Sequence, residues 1–263
     1  GMARQLAIFS DAVWTEWLPT HAWAIEHPEG VIVVDTGQGA HLMRSGQSLH
    51  PYIRWEVRFR ITPEEEVGPQ LRALGIGSRD VRQVVLTHLH IDHDGGLAHF
   101  PNSEILVARG EIAAAKGMLG RLRGYLPQRW PSWFAPVPLD LGAGAFGPFA
   151  ASARLTKEGV VNAVGTPGDT AHHLSVVVQD GDRTVLLAGD ASYTEGLLLA
   201  GRVDGVSADE DIARVFARWG ETHDRLDILV HALAFAKRED LSGAFVDTSR
   251  DGFALAMDVS AYS

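Results

Sequence analysis

The sequence predicts an α/β fold. Three observations carry this: short β-branched apolar runs alternate with helical stretches, no repeat period recurs, and no linker-like composition interrupts the alternation. The expected organisation is a single domain over residues 2–263, with Gly1 ahead of Met2 set aside as the scar of a cleaved tag. A chain of 263 residues, 46% of them hydrophobic, has material for a sizeable core and is not a disordered one. Lys and Arg total 23 against 33 Asp and Glu, a net charge of -10, which opposes the basic footprint that nucleic-acid binding needs. The lack of cysteine excludes disulfides and thiolate–zinc sites. No apolar run reaches membrane-spanning length and no signal-peptide pattern is present, so the expectation is no membrane partner and a cytoplasmic location.

Taken in order, Leu6 to Phe9 and Ala22 to Ile25 read as strands, with Trp14 and Trp17 in the loop between them. Val31 to Val34 is a buried strand ended by Asp35-Thr36-Gly37. Asp35 has two readings of equal weight, a turn former or a buried carboxylate that orients a metal-bound histidine. Gly39 to Ile61 is irregular. Thr62-Pro63-Glu64-Glu65 opens a helix, with a threonine cap, proline in the first turn and acids beside the dipole; it runs to about Leu74 and stops at Gly75. Leu97 to Phe100 reads as a short helix, Ile105 to Val107 as a strand, and Arg109 to Met118 as an Ala-rich helix. Arg121 to Pro138 interleaves arginine and proline with Tyr125, Trp130, Trp133 and Phe134, either a packed surface loop or an aromatic wall over a site. Leu174 to Val178 and Thr184 to Ala188 pair as a hairpin through Asp180-Gly181-Asp182. Ser207 caps a helix reaching about Gly220, with Ile212, Val215, Phe216 and Trp219 on its apolar face. Ile228 to Val230 is the last clear strand and leads into His231.

The chemistry concentrates in Gln83 to Gly96, QVVLTHLHIDHDGG. Val84, Val85 and Leu86 read as a buried strand, and His88, His90, Asp92 and His93 follow on its end loop, where rigid scaffolds present functional groups. Imidazole and carboxylate groups at this density suit a divalent transition metal. His88 and His90, two apart on an extended backbone, project to one side, and the next turn can carry Asp92 and His93 toward a second metal. Of twelve histidines these three form the one dense cluster. His173, His231 and Asp190 each stand at a strand margin from which the same cluster is within reach. His21, His27, His41, His50, His99 and His223 have no ligand-like context.

His88-Leu89-His90-Ile91-Asp92-His93 resembles the HxHxDH signature of the metallo-β-lactamase superfamily. Other landmarks fall in the family's order along nearly the whole chain: Asp35-Thr36-Gly37, then Thr166-Pro167-Gly168 to His173, then Gly189-Asp190. Asp190-Ala191-Ser192-Tyr193-Thr194 is similar to a segment of N-acyl-homoserine lactone lactonases. The resemblance implies an α/β (α+β) fold, a four-layer αβ/βα sandwich with two divalent metals at one edge. Zinc is the first choice, with iron or manganese as alternatives. It assigns His88, His90 and His173 to one metal, Asp92 and His93 to the second, Asp190 as the bridge and Asp35 as an outer-shell carboxylate. The family's usual Gly-His-Thr-Pro-Gly-His is here Gly168-Asp169-Thr170-Ala171-His172-His173. His173 is preferred over His172 because Leu174-Ser175 follows it as in the family. The family's closing Gly-His-Asp or Ser-His-Asp triplet is missing, and His231, at the last strand, is the expected remaining ligand. The implied activity is lactone opening by attack of a hydroxide that bridges the two metals. Tyr193 would contact the substrate carbonyl, and Asp92 could pass a proton to the leaving alkoxide. The alternatives are hydrolysis of another ester, thioester or phosphotriester on the same site, or a degenerate metal-binding member without activity. The expected partner is a small-molecule lactone or ester, and a homodimer is left open.

Overall fold

The structure is a computed structural model. It describes residues 20–43, 58–191 and 228–230. Valine and leucine dominate β2 (Val31–Val34) and β3 (Val81–Leu86), residues suited to strands that are covered on both faces. With β1 (Trp23–Ile25), β4 (Glu104–Ala108) and β5 (Val137–Leu139) they form one five-stranded sheet in the order β1-β2-β3-β4-β5. Only the β1–β2 pair is antiparallel there. Pro138 sits on the edge strand β5, where its missing N–H costs no ladder bond.

The second sheet holds β6 (Ser152–Arg154), β7 (Val161–Gly165), β8 (Leu174–Asp180), β9 (Arg183–Leu187) and β10 (Ile228–Val230), in the order β10-β9-β8-β7-β6. β8 and β9 form the expected hairpin. Asp180 faces Arg183, so the loop is Gly181-Asp182, with Gly181 at φ 62.

Strand alternation sorts the core into layers. Ile32, Val34, Val85 and Leu106 meet Val161, Ala163, Leu174, Val176 and Leu187 between the two sheets. Val33, Val84, Leu86 and Val107 turn the other way and pack with Leu71, Leu97, Phe100 and Tyr125. On the far side of the second sheet, Val164, Val177 and Leu186 pack with Phe149. Two sheets face to face with cover outside them is the expected sandwich.

Two helices differ from the sequence expectation. The stretch after Thr62 is a 3₁₀ turn (Pro63–Glu65) followed by α1 (Val67–Ala73), broken at Glu66, whose φ/ψ of -64/151 is extended. That break frees the Glu66 carboxylate to accept from the Ala40 N–H at 2.7 Å and to pair with His99. After the one-turn α2 (Ile91–Asp94), the Ala-rich helix is α3 (Arg109–Ala114) and stops short of Met118. Lys116 is extended and Gly117, at φ 73, opens a new helix, α4 (Gly117–Leu122). The expected strand at Leu6 to Phe9, the Trp14–Trp17 loop and the helix after Ser207 lie outside the described residues.

Candidate metal centre

The chemistry-bearing residues collect at one edge of the sandwich. Asp35 follows β2, the His88–His93 loop follows β3, His173 immediately precedes β8, and Asp190 follows β9. Because β2 and β3 are parallel while β8 and β9 are antiparallel, these four positions share one end. Crevices beyond the carboxyl ends of parallel strands are where such folds bind ligands.

Hydrogen bonds shape the loop. The Thr87 N–H donates to Asp35 Oδ1 at 2.8 Å, and its hydroxyl bonds the same carboxylate. The Thr36 hydroxyl donates to the His93 carbonyl at 2.8 Å and accepts from the Gly96 N–H at 3.1 Å. His90 is the N-cap of α2, a single turn that presents Asp92 and His93. Glu111 on α3 is fully buried and accepts from the Leu89 N–H at 3.1 Å and the Thr170 hydroxyl at 2.9 Å. It thereby ties the loop after β3 to the loop before β8. Asp35 is the one described non-glycine residue with positive φ, 58°, held by these bonds. Its carboxylate also lies 2.8 Å from His93 Nδ1, so it occupies a turn and braces a histidine at once.

The partners of each imidazole fix which nitrogen carries the proton. His93 Nδ1 donates to Asp35 and Nε2 to Asp190 Oδ2 at 3.2 Å, so against the cost of burial the flanking carboxylates hold the ring protonated well above the ordinary imidazole value, and Nε2 is the nitrogen a metal would take in place of that proton. His173 Nδ1 donates to the Thr166 carbonyl at 2.9 Å, and its Nε2 accepts from the Asp190 N–H at 3.0 Å. His90 Nε2 lies 3.2 Å from the Arg123 carbonyl, which can only accept, so Nδ1 is the other face of that ring. The Thr87 hydroxyl donates to Asp35, so it accepts from His88 Nδ1 at 3.1 Å, and His88 Nε2 is left buried without a partner. An orphaned buried imidazole nitrogen is costly unless something binds it. The donor set of histidine nitrogens and carboxylates fits a divalent transition metal. Two triplets have ligand atoms within 4.8 Å of one another here: His88, His93 and Asp190, and His88, His90 and Asp169.

Burial and neighbouring charges pull the titratable groups of the site in different directions. Burial alone would lower the His90 imidazole, but the Asp169 hydrogen bond and charge, with Asp92 and Glu111, hold it at about 9. Burial and the neighbouring His88 charge push His173 down to about 4. Burial disfavours charge on Asp190, yet His93 and His88 outweigh it and lower the carboxyl to about 2. Asp94 goes the other way, up to about 7, because burial dominates over the hydrogen bond from Trp130.

Among the expected site residues, His88, His90, His93, His173 and Asp190 are brought together, with Asp92 beside His93 and one-third exposed. His172 is exposed and turns away, against Gly110. Tyr193 and His231 lie outside the described residues. The Arg121–Pro138 stretch packs on the site: Tyr125 lies against His90, tilted by 44° with ring centres 5.1 Å apart, and Trp130 Nε1 donates to Asp94 Oδ2 at 2.6 Å. Sequence reasoning missed Thr87, Glu111 and Asp169. Asp169 is visible in the sequence as the departure from the family's Gly-His-Thr-Pro-Gly-His, but nothing in its spacing marks it as a partner of His90, 79 residues away. A separate cavity of about 630 Å³, lined by residues including Pro28, Gly30, Leu74 and Asp80, opens at the start of β2 and shares no residue with this cluster.

The family model described as the metallo-beta-lactamase superfamily matches residues 15–227. A probable metallo-hydrolase of Mycobacterium tuberculosis is 35% identical over 191 residues, covering 68% of this chain and 58% of that protein. The chain thus spans little more than half the length of this mycobacterial relative. An N-acyl homoserine lactonase of Bacillus sp is 27% identical over 180 residues, 68% of this chain and 66% of that protein. A different similarity covers only 58 residues: 22% of the chain is 48% identical to the NADH-dependent enoyl-[acyl-carrier-protein] reductase of Aquifex aeolicus, over 22% of that protein. Among solved structures, a mutant of B. thuringiensis AiiA with N-decanoyl-L-homoserine bound at its active site superposes with a TM-score of 0.65. It is 23% identical and the match covers 88% of this chain and 87% of that one. Among the described residues, no helix is long and apolar enough to cross a membrane.

Proposed function

The chain belongs to the metallo-beta-lactamase superfamily, and from that premise we propose that it is a metal-dependent hydrolase that opens lactones, with N-acyl-homoserine lactones as the leading substrate class. The grouping of His88 and His93 with Asp190 and of His88 and His90 with Asp169, with His173 Nε2 at the Asp190 amide and His88 Nε2 unpartnered, is the observation that carries this reading. The metallo-hydrolase and lactonase names of the relatives support it.

His88 through Nε2, His90 through Nδ1 and His173 through Nε2 would hold the first metal. Asp92 and His93 would hold the second, and Asp190 would lie between them. When bound, two divalent cations of this kind, zinc first among them, supply an acidified water and polarise a carbonyl. The chain's own part is preorganisation. Asp35 fixes His93, Thr166 fixes His173, and Glu111 locks the two loops together, so the donor atoms need not reorganise. Tyr193 is the proposed contact to the substrate carbonyl, and Asp92, the most exposed of the group, the proposed proton carrier to the leaving alkoxide.

The reductase-like stretch bears on His231. The described sandwich elements, β10 apart, occupy residues 20–43 and 58–191, and a 58-residue stretch fits outside them after residue 191, where it overlaps the end of the family match at residue 227. We assign the stretch there. On that assignment His231 is not a family ligand position, and His231→Ala leaves zinc content unchanged; loss of a zinc would return it to the site.

The test is zinc-reconstituted protein of measured metal content on a substrate panel. We expect two zinc ions per chain and proton release from homoserine lactones. No turnover of any lactone alongside turnover of a thioester or phosphotriester would sink the lactonase reading and keep the hydrolase. At most one metal per chain would sink the two-metal site.

A further inference from the structure

The carboxylate of Asp169 has no role in the ligand set above. We propose that Asp169 is a fourth protein ligand of the first metal, supplying an oxygen beside His88, His90 and His173. The inference deepens the two-metal reading and rests on it.

Its geometry is that of a shared coordination sphere. Asp169 Oδ2 lies 2.7 Å from His90 Nδ1 and 3.6 Å from His88 Nε2. Ligand atoms about 2.0–2.2 Å from one tetrahedral zinc stand about 3.3–3.6 Å apart, so the His88 separation already has that spacing and the His90 hydrogen bond would open by about half an ångström to admit the ion. The face of the ring matters more. A carboxylate that merely orients a metal-bound histidine sits on the nitrogen remote from the metal, as Asp35 does at His93 Nδ1. At His90 the remote nitrogen is already used by the Arg123 carbonyl, and Asp169 stands instead on the metal-facing Nδ1. The same oxygen is the polar group that faces the orphaned His88 Nε2.

The position of Asp169 is also built rather than incidental. Its backbone N–H donates to the Asp190 carbonyl at 3.2 Å, which couples it to the residue proposed to bridge the metals. Gly168 beside it packs so closely that an added Cβ would lie 2.6 Å from the Asp190 carbonyl oxygen. The carboxylate is only 8% exposed. An additional anionic ligand would make the first site bind its cation more tightly and with one more protein donor than three histidines and the bridge provide.

The experiment uses full-length protein stripped with chelator, then titrated with zinc against a competing dye, and separately loaded with cobalt(II) for its visible spectrum. Asp169→Asn keeps size and shape while removing the charge. We expect it to fold with a native circular dichroism spectrum, to bind its tighter zinc at least ~10-fold more weakly, and to shift the cobalt bands. Asp169→Glu retains a carboxylate and recovers part of the affinity; if the Asn variant fails to fold, an unshifted cobalt spectrum in Asp169→Glu overturns the proposal. Weakened zinc binding with unchanged cobalt bands makes Asp169 a positioning residue and overturns direct ligation. Two zinc ions bound with unchanged affinity in Asp169→Asn defeat this inference alone, whereas a wild-type chain that takes up no metal defeats the hydrolase reading with it.

Discussion

Gly189 has φ 57, and a Cβ there would lie 2.8 Å from His173 Nε2 and 2.9 Å from Thr87 Cγ2. Both neighbours are buried and hydrogen-bonded, so neither can give way cheaply. Gly189→Ala combines left-handed backbone strain with a clash on a proposed ligand. We expect a loss of about 1–3 kcal/mol in unfolding free energy and reduced zinc content, read by thermal melting and metal analysis; unchanged melting and metal content would show that the site relaxes around a methyl group. At this scale the sequence was readable where ligand-type residues are dense. His88, His90, Asp92 and His93 announce themselves within six positions. Glu111 and Asp169 do not, because their partners lie 22 and 79 residues away and ordinary spacing carries no trace of such bonds.

The segment from Tyr125 to Phe134 shows how an element can be read for composition but not for role. Its aromatics suggested either a packed loop or a wall. It packs against the site and braces the turn that carries Asp92 and His93: Tyr125 lies on His90, and Trp130 holds Asp94 at the end of α2 and meets Phe134 edge-on at 4.8 Å. Asp94, raised by burial to about 7 from an ordinary 3.8, contributes stability that is full below 3.8 and is lost as pH rises through about 7. The Trp130 hydrogen bond limits that loss. In metal-free protein, Trp130→Phe therefore costs more at pH 8 than at pH 5, about 1–3 kcal/mol at the higher value. Urea titrations at both pH values measure it, and an equal cost at each would mean that Asp94 is not the group affected. Strands were legible because β-branched runs need little context, and the three apolar residues read at Val84–Leu86 proved to be the end of a six-residue strand. Helix ends were not, because the breaks at Glu66 and Lys116 answer to tertiary bonds and a left-handed glycine.

Among the described residues, the two sheets meet through a contact that is apolar in the middle and polar at both ends. At the metal end the Leu174 N–H donates to the Thr87 carbonyl at 3.0 Å, one backbone bond from the second sheet to the loop after β3. At the opposite end Arg82 donates to the Leu155 carbonyl at 3.0 Å and the Lys157 N–H to Glu29 at 2.9 Å. The layered arrangement follows from alternation within each strand. Which loops would meet across the seam does not, since that depends on how two separately specified sheets are laid together. The Leu174 amide cannot reach solvent unless the sheets part beside His173, so its hydrogen–deuterium exchange times the opening of the site from within. Zinc pinning both sides should slow exchange at Leu174 far more than at amides inside β3, and equal slowing at both would place the opening elsewhere. A single amide proton would then report, without any substrate, whether the two halves of the molecule are clamped.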